Sequence, residues 1–393
     1  MKYIVERFRR FCGFITGFVF FASGILKLLD PVGAGLVMDE YFDFLHTGFL
    51  GFAAKPLGTL LALAETLIGT ALITGVWRRI TAVLAISFQT FFTLLTLALV
   101  IFNPGMDCGC FGEAVHLTHM QTFVKNLILC ALLGMAFIPF RGFGRPKKRK
   151  YVSFGIVASA VVAFMIYSWM YIPPVDFTAY KSGAVLASAA TSDEDMYEAY
   201  FIYEKNGVQK RFTLEHLPDS TWNFISAETA LKKGFVEPLS LSFTNGSGEY
   251  MDELAAKGDV MVISIYDAET DAKKWARVSK EYEEMSKAGL KPLVLAASTP
   301  EAIAGKIPSE LEGKVYFSDY KTLITLNRSN GGATYFSDGT LICKWASRAI
   351  PEGDKLSQIA NGKHLEQAID KDTKGSLGFQ GFLLYVFAVM LLL

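Results

Sequence analysis

ITAVLAISFQTFFTLLTLALVIFNPGMDCGCFG, residues 80–112, joins two signals in one stretch. Its first part, Ile80 to Phe102, carries no charge and is long enough to cross about 30 Å of hydrocarbon, which takes roughly twenty helical residues. It stops at Asn103-Pro104-Gly105, and two thiols one residue apart follow as Cys108-Gly109-Cys110. The order places a cysteine pair at the mouth of a helix bundle. Two cysteines so spaced can close a small, strained disulfide that is easily reduced, so the pair suits exchange better than stapling. Gly109 removes the side chain that would hinder closure. A tight loop with incidental cysteines, or a static disulfide, is the blander reading; a membrane-edge loop offers a thiol pair few packing reasons to exist.

Apolar runs of spanning length recur at about 11–29, 58–76, 121–140, 151–172 and 376–393, and 51% of the chain is hydrophobic. The first run holds Lys27, ends at Asp30-Pro31 and lacks a small-x-small cleavage site, so it reads as a retained helix and not a signal peptide. Loop charge orients the bundle. Lys2, Arg7, Arg9, Arg10, Arg78, Arg79, Arg141, Arg145, Lys147, Lys148, Arg149 and Lys150 all fall on one side, the cytoplasmic one by the positive-inside rule. The opposite segments, expected to be loops at 30–57 and 103–120, hold only Lys55 as a cation. The thiol pair then faces an oxidising outer space, where disulfides persist.

Tyr171-Ile172-Pro173-Pro174 closes the fifth helix on the outer side, and the composition changes there. Residues 1–173 carry 15 Lys and Arg against 8 Asp and Glu, a net of +7, and the rest carries 23 against 30, a net of −7. The neutral total therefore divides into two parts with different solvents. The expected organisation is a four-helix membrane domain over 1–145, a fifth helix over 146–173, a linker and outer subdomain over 174–254 with a small-residue run at 184–192, an α/β domain over 255–375, and a sixth helix over 376–393.

Val260 to Tyr266 is a continuous apolar run fit for a strand buried on both faces. A helix is expected at 270–288 with Trp275, Val278, Tyr282 and Met285 inward, a strand at 292–296, a helix at 300–313 and a strand at 315–318. Ala333–Ser337 and Leu341–Trp345 flank Asp338-Gly339, a hairpin turn signal, before a helix near 354–369. The order resembles the thioredoxin-like fold over about 255–370. Where that family carries Cys-x-x-Cys after the first strand, this chain has Asp267-Ala268-Glu269-Thr270-Asp271, and no proline lies between Pro308 and Pro351. The resemblance therefore implies a degenerate docking module, with Cys343 packing on one strand face beside Leu341 and Trp345.

Ser23-Gly24, Lys27 and Asp30-Pro31, then Glu65 with Gly69 and Gly75, then Asp107-Cys108-Gly109-Cys110-Phe111-Gly112 resemble the DoxX/MauE family over about 10–140. That resemblance implies a four-helix membrane protein with a redox role in the envelope. It points to the bacterial inner membrane, with the C-terminal domain periplasmic. Expected partners are membrane lipid and a periplasmic thioredoxin-like or substrate protein, with no nucleic acid.

The charges inside the apolar runs bear on this independently. Lys27, Glu65 and Lys125 should face the bundle interior or a wet cavity, because an ionised group in hydrocarbon is unfavourable. The two lysines can also snorkel; Glu65, about 7 residues or roughly 10 Å inside a helix starting near 58, cannot reach as far, so it is the better proton acceptor. Gln89 and Thr93 can hydrogen-bond a quinone carbonyl, although interhelical bonding is the plainer role. His116 and His119 near the thiols suggest zinc weakly, since Cys-x-Cys is an atypical bite; they can instead favour the thiolate. Cys12 and Cys130 read as packing residues. Two classes follow: a membrane thiol–disulfide redox protein working through Cys108 and Cys110, with quinone a candidate acceptor, or a non-enzymatic assembly or docking protein.

Overall fold

The structure is a computed structural model that describes residues 2–139, 146–187, 197–205, 208–219, 221–231, 239–267, 271–360 and 364–392. It divides into two compact units, Met1–Thr178 with Ile369–Leu393, and Ala179–Ala368. The cations Arg141 and Arg145, the residues Ala268 to Thr270 and the end of the small-residue run after 187 lie outside the described residues.

In the first unit α1 (Lys2–Leu29), α2 (Pro31–Phe44), α3 (Ala54–Thr74), α4 (Arg78–Phe102), α5 (His119–Phe137) and α6 (Lys148–Met170) follow one another, with a short strand β1 (Cys110–Glu113) before α5. Among the described residues six helices are long and apolar enough to cross a membrane: Tyr3–Leu29, Gly48–Thr74, Arg78–Phe102, His119–Phe137, Lys148–Met170 and Thr373–Leu392. Each overlaps one of the expected runs, and four of them end one to three residues short of it. α1 and α3 pack closely because glycine lines their crossing: a Cβ on Gly24 would lie 2.2 Å from the Thr66 hydroxyl, and one on Gly69 would lie 2.5 Å from the Phe21 nitrogen. Arg9, near the start of α1, donates to the carbonyls of Ala136 and Pro139 at the end of α5, each at 3.0 Å, so these helices run antiparallel, and Arg9, Arg10, Arg78 and Lys150 gather around one cavity at that end of the bundle.

The segment 30–57 is not a loop. Asp30 caps α2, its Oδ1 accepting the Gly33 N–H at 3.0 Å, and Pro31 occupies the first helical turn. A single 3-10 stretch, Gly48–Ala53, then leads into α3. Because α3 begins at Ala54, Glu65 lies eleven residues along it, about 16 Å and not the expected 10 Å.

The second unit holds two sheets. β2 (Tyr197–Lys205), β3 (Val208–Thr213) and β4 (Asn223–Leu231) form an antiparallel sheet in the order β3-β2-β4. After a short α7 (Glu253–Ala256), the strands β5 (Asp259–Ile265), β6 (Lys291–Ala296), β7 (Val315–Phe317), β8 (Gly332–Ser337) and β9 (Thr340–Trp345) form a sheet in the order β7-β6-β5-β8-β9. β5 pairs parallel with β6 and antiparallel with β8. α8 (Ala272–Lys287) follows β5, and its Trp275, Val278 and Met285 join Met261, Ile263 and Ile265 in one core layer, while Val260 and Val262 point to the other.

Two expectations here are corrected. The helix expected at 300–313 is only α9 (Pro300–Ile303), because Gly305 takes φ +76° and Pro308 follows; a 3-10 turn at Ser309–Leu311 completes the stretch. Cys343 does not share a face with Leu341. The pairing steps from Tyr335–Cys343 to Phe336–Leu341, so Ile342 is a bulged residue and the alternation breaks: Cys343 enters the layer of Met261, Leu341 the opposite one. A helix absent from the expectation, α10 (Tyr320–Leu326), precedes β8, and α11 (Asp354–Ala360) and α12 (His364–Leu392) end the chain.

Candidate functional site

The thiol loop is held from three directions. Ser23 of α1 donates its hydroxyl to the Cys110 carbonyl at 2.5 Å, and Tyr41 of α2 donates to the Cys108 carbonyl at 3.0 Å. From the start of α5, His119 Nε2 binds the Met106 carbonyl at 2.9 Å, while His116 reaches the Asp107 carboxylate at 3.1 Å. α5 itself starts with a capping box between Thr118 and Gln121. Between the thiols, Gly109 takes φ +59°, and a Cβ there would lie 2.3 Å from Val37 Cγ1 of α2. Glycine is required twice over, by the left-handed backbone and by the helix packed on top of it. Gly112 closes the turn, its N–H reaching the Gly109 carbonyl at 3.3 Å.

The two thiols have unequal surroundings. Both are free; Cys108 is 5% exposed, beside Tyr41 and Leu99, and Cys110 is half-buried. Burial pushes the Cys108 thiol up; the Thr122 hydroxyl opposes this, Cys110 and Asp107 add to it, and Lys125 opposes it at longer range. Thr122 is fully buried, and its hydroxyl has no other partner. The same burial raises the Tyr41 phenol, which therefore stays protonated as a donor.

Beneath the loop is a small cavity of about 30 Å³ that brings together Ser23, Lys27, Glu65, Gln89, Cys110, Lys125 and Asn126, with Phe20, Phe88 and Phe92 among its apolar walls. Its size suits one or two waters. Lys27 Nζ meets Glu65 Oε2 at 2.7 Å, so the two intramembrane charges that stand 38 residues apart in sequence form one ion pair. Gln89 donates to the Asn126 carbonyl at 3.2 Å, and Asn126 donates to the Thr96 hydroxyl at 3.1 Å, tying α4 to α5. Thr93 donates back to the Gln89 carbonyl at 2.7 Å and stands 3.3 Å from Cys130 Sγ, which makes both Thr93 and Cys130 part of the helix contact. Lys125 Nζ lies 4.9 Å from the centre of the Phe111 ring, a cation–π contact that holds its ammonium at the cavity edge.

Most of the expected site residues therefore converge: Ser23, Lys27, Glu65, Gln89, Lys125 and Cys110 line one space, with Phe111 against Lys125. Asp30 and Pro31 serve the start of α2, and Gly24 serves the α1–α3 crossing. Cys12 is buried in an apolar cluster among α1, α3, α4 and α5. No group of three or more His, Cys, Asp or Glu side chains able to hold a metal occurs among the described residues. Tyr41, Val37, Thr122 and Asn126 belong to the site and were not anticipated. The signal for the first two was Asp30-Pro31, a helix start read as a helix end.

Comparison with known proteins fits this geometry. Residues 5–139 match the family model of methylamine utilisation protein MauE. This region is MauE-like. The matched span holds α1 to α5 and thus every residue of the cavity, so the MauE-like region contains the whole candidate site. Residues 197–234 match the model of a domain of unknown function, DUF8463, which covers the sheet of β2, β3 and β4. No curated protein and no solved structure gives a significant match.

Proposed function

We propose that the protein is a thiol–disulfide redox component of the bacterial inner membrane, with Cys108 and Cys110 as the exchanging pair. The observation that carries the reading is that Cys110 lines the same small cavity as the Lys27–Glu65 pair. In the oxidised state a Cys108–Cys110 disulfide takes two electrons and two protons from a partner dithiol, whose own sulfurs then form a disulfide. Reoxidation returns both electrons and both protons to an acceptor, and a quinone becoming quinol balances the step. Cys110, the more exposed sulfur, is the one a partner thiolate reaches; that attack breaks the Cys108–Cys110 bond and expels Cys108, whose raised pKa makes it take up a proton as it leaves, and the partner's second thiol then resolves the mixed disulfide by expelling Cys110. Glu65 is the proton acceptor, reached from the thiols through the cavity.

The charge-dense end of the bundle supports an inward orientation for that end, and with it an outer, periplasmic side for the thiol loop and residues 174–375. The sheet order β7-β6-β5-β8-β9, with parallel strands first and an antiparallel hairpin last, supports a thioredoxin-like reading of the second unit. Its one cysteine, Cys343, is 7% exposed within the core, so that unit acts by docking a partner and not by exchange.

The test is to trap the intermediate. Cys108→Ala in the full chain should accumulate a mixed disulfide through Cys110, visible as a reductant-sensitive adduct with an envelope protein. A Cys108→Ala protein that is folded, membrane-inserted and never cross-linked under oxidising growth would overturn the reading.

A further inference from the structure

We propose that the opposite, cation-rich end of the bundle binds one anionic phospholipid, its phosphate held by Arg78. A cavity of about 450 Å³ opens there between the ends of α1, α3, α4 and α5 and the start of α6, and it shares no residue with the cavity under the thiols. Its polar wall carries Arg9, Arg10, Arg78 and Lys150 against the single carboxylate of Glu6, four positive charges to one negative.

Three of the cations are already engaged. Arg9 donates to the Ala136 and Pro139 carbonyls, Arg10 pairs with Glu6 at 2.6 Å, and Lys150 donates to the Met390 carbonyl at 3.3 Å. Arg78 is half-buried and makes no ion pair or hydrogen bond with a described residue. Its guanidinium folds over Gly75, with Nε and Nη2 3.5 and 3.6 Å from where a Cβ would stand. The one carboxylate of the cavity, Glu6, attracts it from beyond bonding distance and is already paired with Arg10; a phosphate diester would match its planar fork with two parallel hydrogen bonds.

The rest of the cavity indicates that the anion is a lipid headgroup and not a free ion. Phe11, Phe14, Leu72, Ile73 and Phe137 form an apolar wall against which an acyl chain can lie. Trp77, the residue before Arg78, packs edge-on to Tyr151 and Phe154 at 5.3 and 5.2 Å, and such aromatic groups sit at headgroup level. The positive end of the bundle also faces the leaflet whose anionic lipids attract basic segments.

The experiment uses the full-length protein in detergent, titrated with phosphatidylglycerol, phosphatidylethanolamine or inorganic phosphate, and read by native mass spectrometry. The wild type should retain one phosphatidylglycerol in preference to phosphatidylethanolamine. Arg78→Gln should weaken that retention by about tenfold or more, whereas Arg79→Gln, which removes an exposed charge one residue away, should leave it unchanged. Arg78→Lys keeps the charge and loses the fork; it should fall between, and it carries the test if the glutamine variant does not fold. Equal retention in the Arg78 and Arg79 variants, no preference for the anionic lipid, or displacement of the lipid by inorganic phosphate at equal concentration would overturn the proposal.

Discussion

Cys108 and Cys343 are both buried thiols, one in the bundle and one in the second, α/β unit, and their neighbours separate them. Around Cys343 are apolar side chains of a sheet core, with Met261, Ile263 and Tyr335 in the same layer. Around Cys108 are a phenol that fixes its carbonyl, an otherwise unpartnered hydroxyl, a second thiol two residues away and, beyond Cys110, a cavity with an ion pair. Burial alone therefore says little about a cysteine. What decides is whether the space beside it can receive charge and protons.

The largest expected effect breaks the comparison outright. Cys108→Ala or Cys110→Ala should abolish exchange, whereas Cys343→Ala should leave exchange intact and lower stability by about 1–2 kcal/mol through loss of core packing. Alkylation to count free thiols, with the redox state of an envelope substrate, separates the outcomes. If Cys343→Ala stops exchange while the protein stays folded, the second unit relays electrons and the contrast fails.

Gly109→Ala comes next. A methyl group 2.3 Å from Val37 at a left-handed backbone position must move the loop or α2, so exchange should fall at least about tenfold without loss of either thiol. Val37→Ala in the same chain should restore part of it by opening the space. An alanine variant as active as the wild type would show that the loop adjusts freely.

The ion pair sharpens the comparison further. Glu65→Gln should slow exchange more than Lys27→Gln at matched expression, because only the carboxylate can accept a proton. Each single change also strands the other charge, at about 3–5 kcal/mol when such a pair is buried. The double variant should therefore be more stable than the sum of the singles predicts, which thermal melts of all four proteins would reveal. Additive losses would mean that the pair is not coupled.

The smallest effect is a pH dependence confined to the second unit. Burial raises the Glu281 carboxyl from 4.5 to about 7, against the opposing pull of Arg277. The folded form then holds this proton more tightly than the unfolded chain, so the stability it contributes is present below about pH 4.5 and is lost as the pH rises through about 7. Glu281→Gln should raise the melting temperature at pH 8 more than at pH 5. An equal shift at both values would sink the assignment.

The spans were legible because each is a long apolar run with at most one charge, a signal that needs no tertiary context. Charge sorting between the bundle ends was legible for the same reason. Asp30-Pro31 was misread since a proline after an acidic residue both ends one helix and starts another, and only the Gly33 N–H accepted by Asp30 distinguishes them. The Lys27–Glu65 pairing was hidden, because residues on two helices meet only where Gly24 and Gly69 let the backbones approach. In the second unit, the succession of strands from β5 to β9 was readable from the run of patterns, but one bulge at Ile342 reversed the face of Leu341, a change that alternation cannot report.

The Lys27–Glu65 pair also determines how the bundle responds to an energised membrane. A single charge crossing the full field gains or loses about 2.3 kcal/mol per 100 mV. Two opposite charges 2.7 Å apart feel nearly cancelling forces, so the resting bundle is close to electrically silent. In the proposed orientation and role, a proton reaching Glu65 from the outer side would end that cancellation and leave the Lys27 ammonium as a lone cation in the field. An inside-negative voltage favours that arrival, and so the readiness of the carboxyl to take a proton would follow the energy state of the membrane.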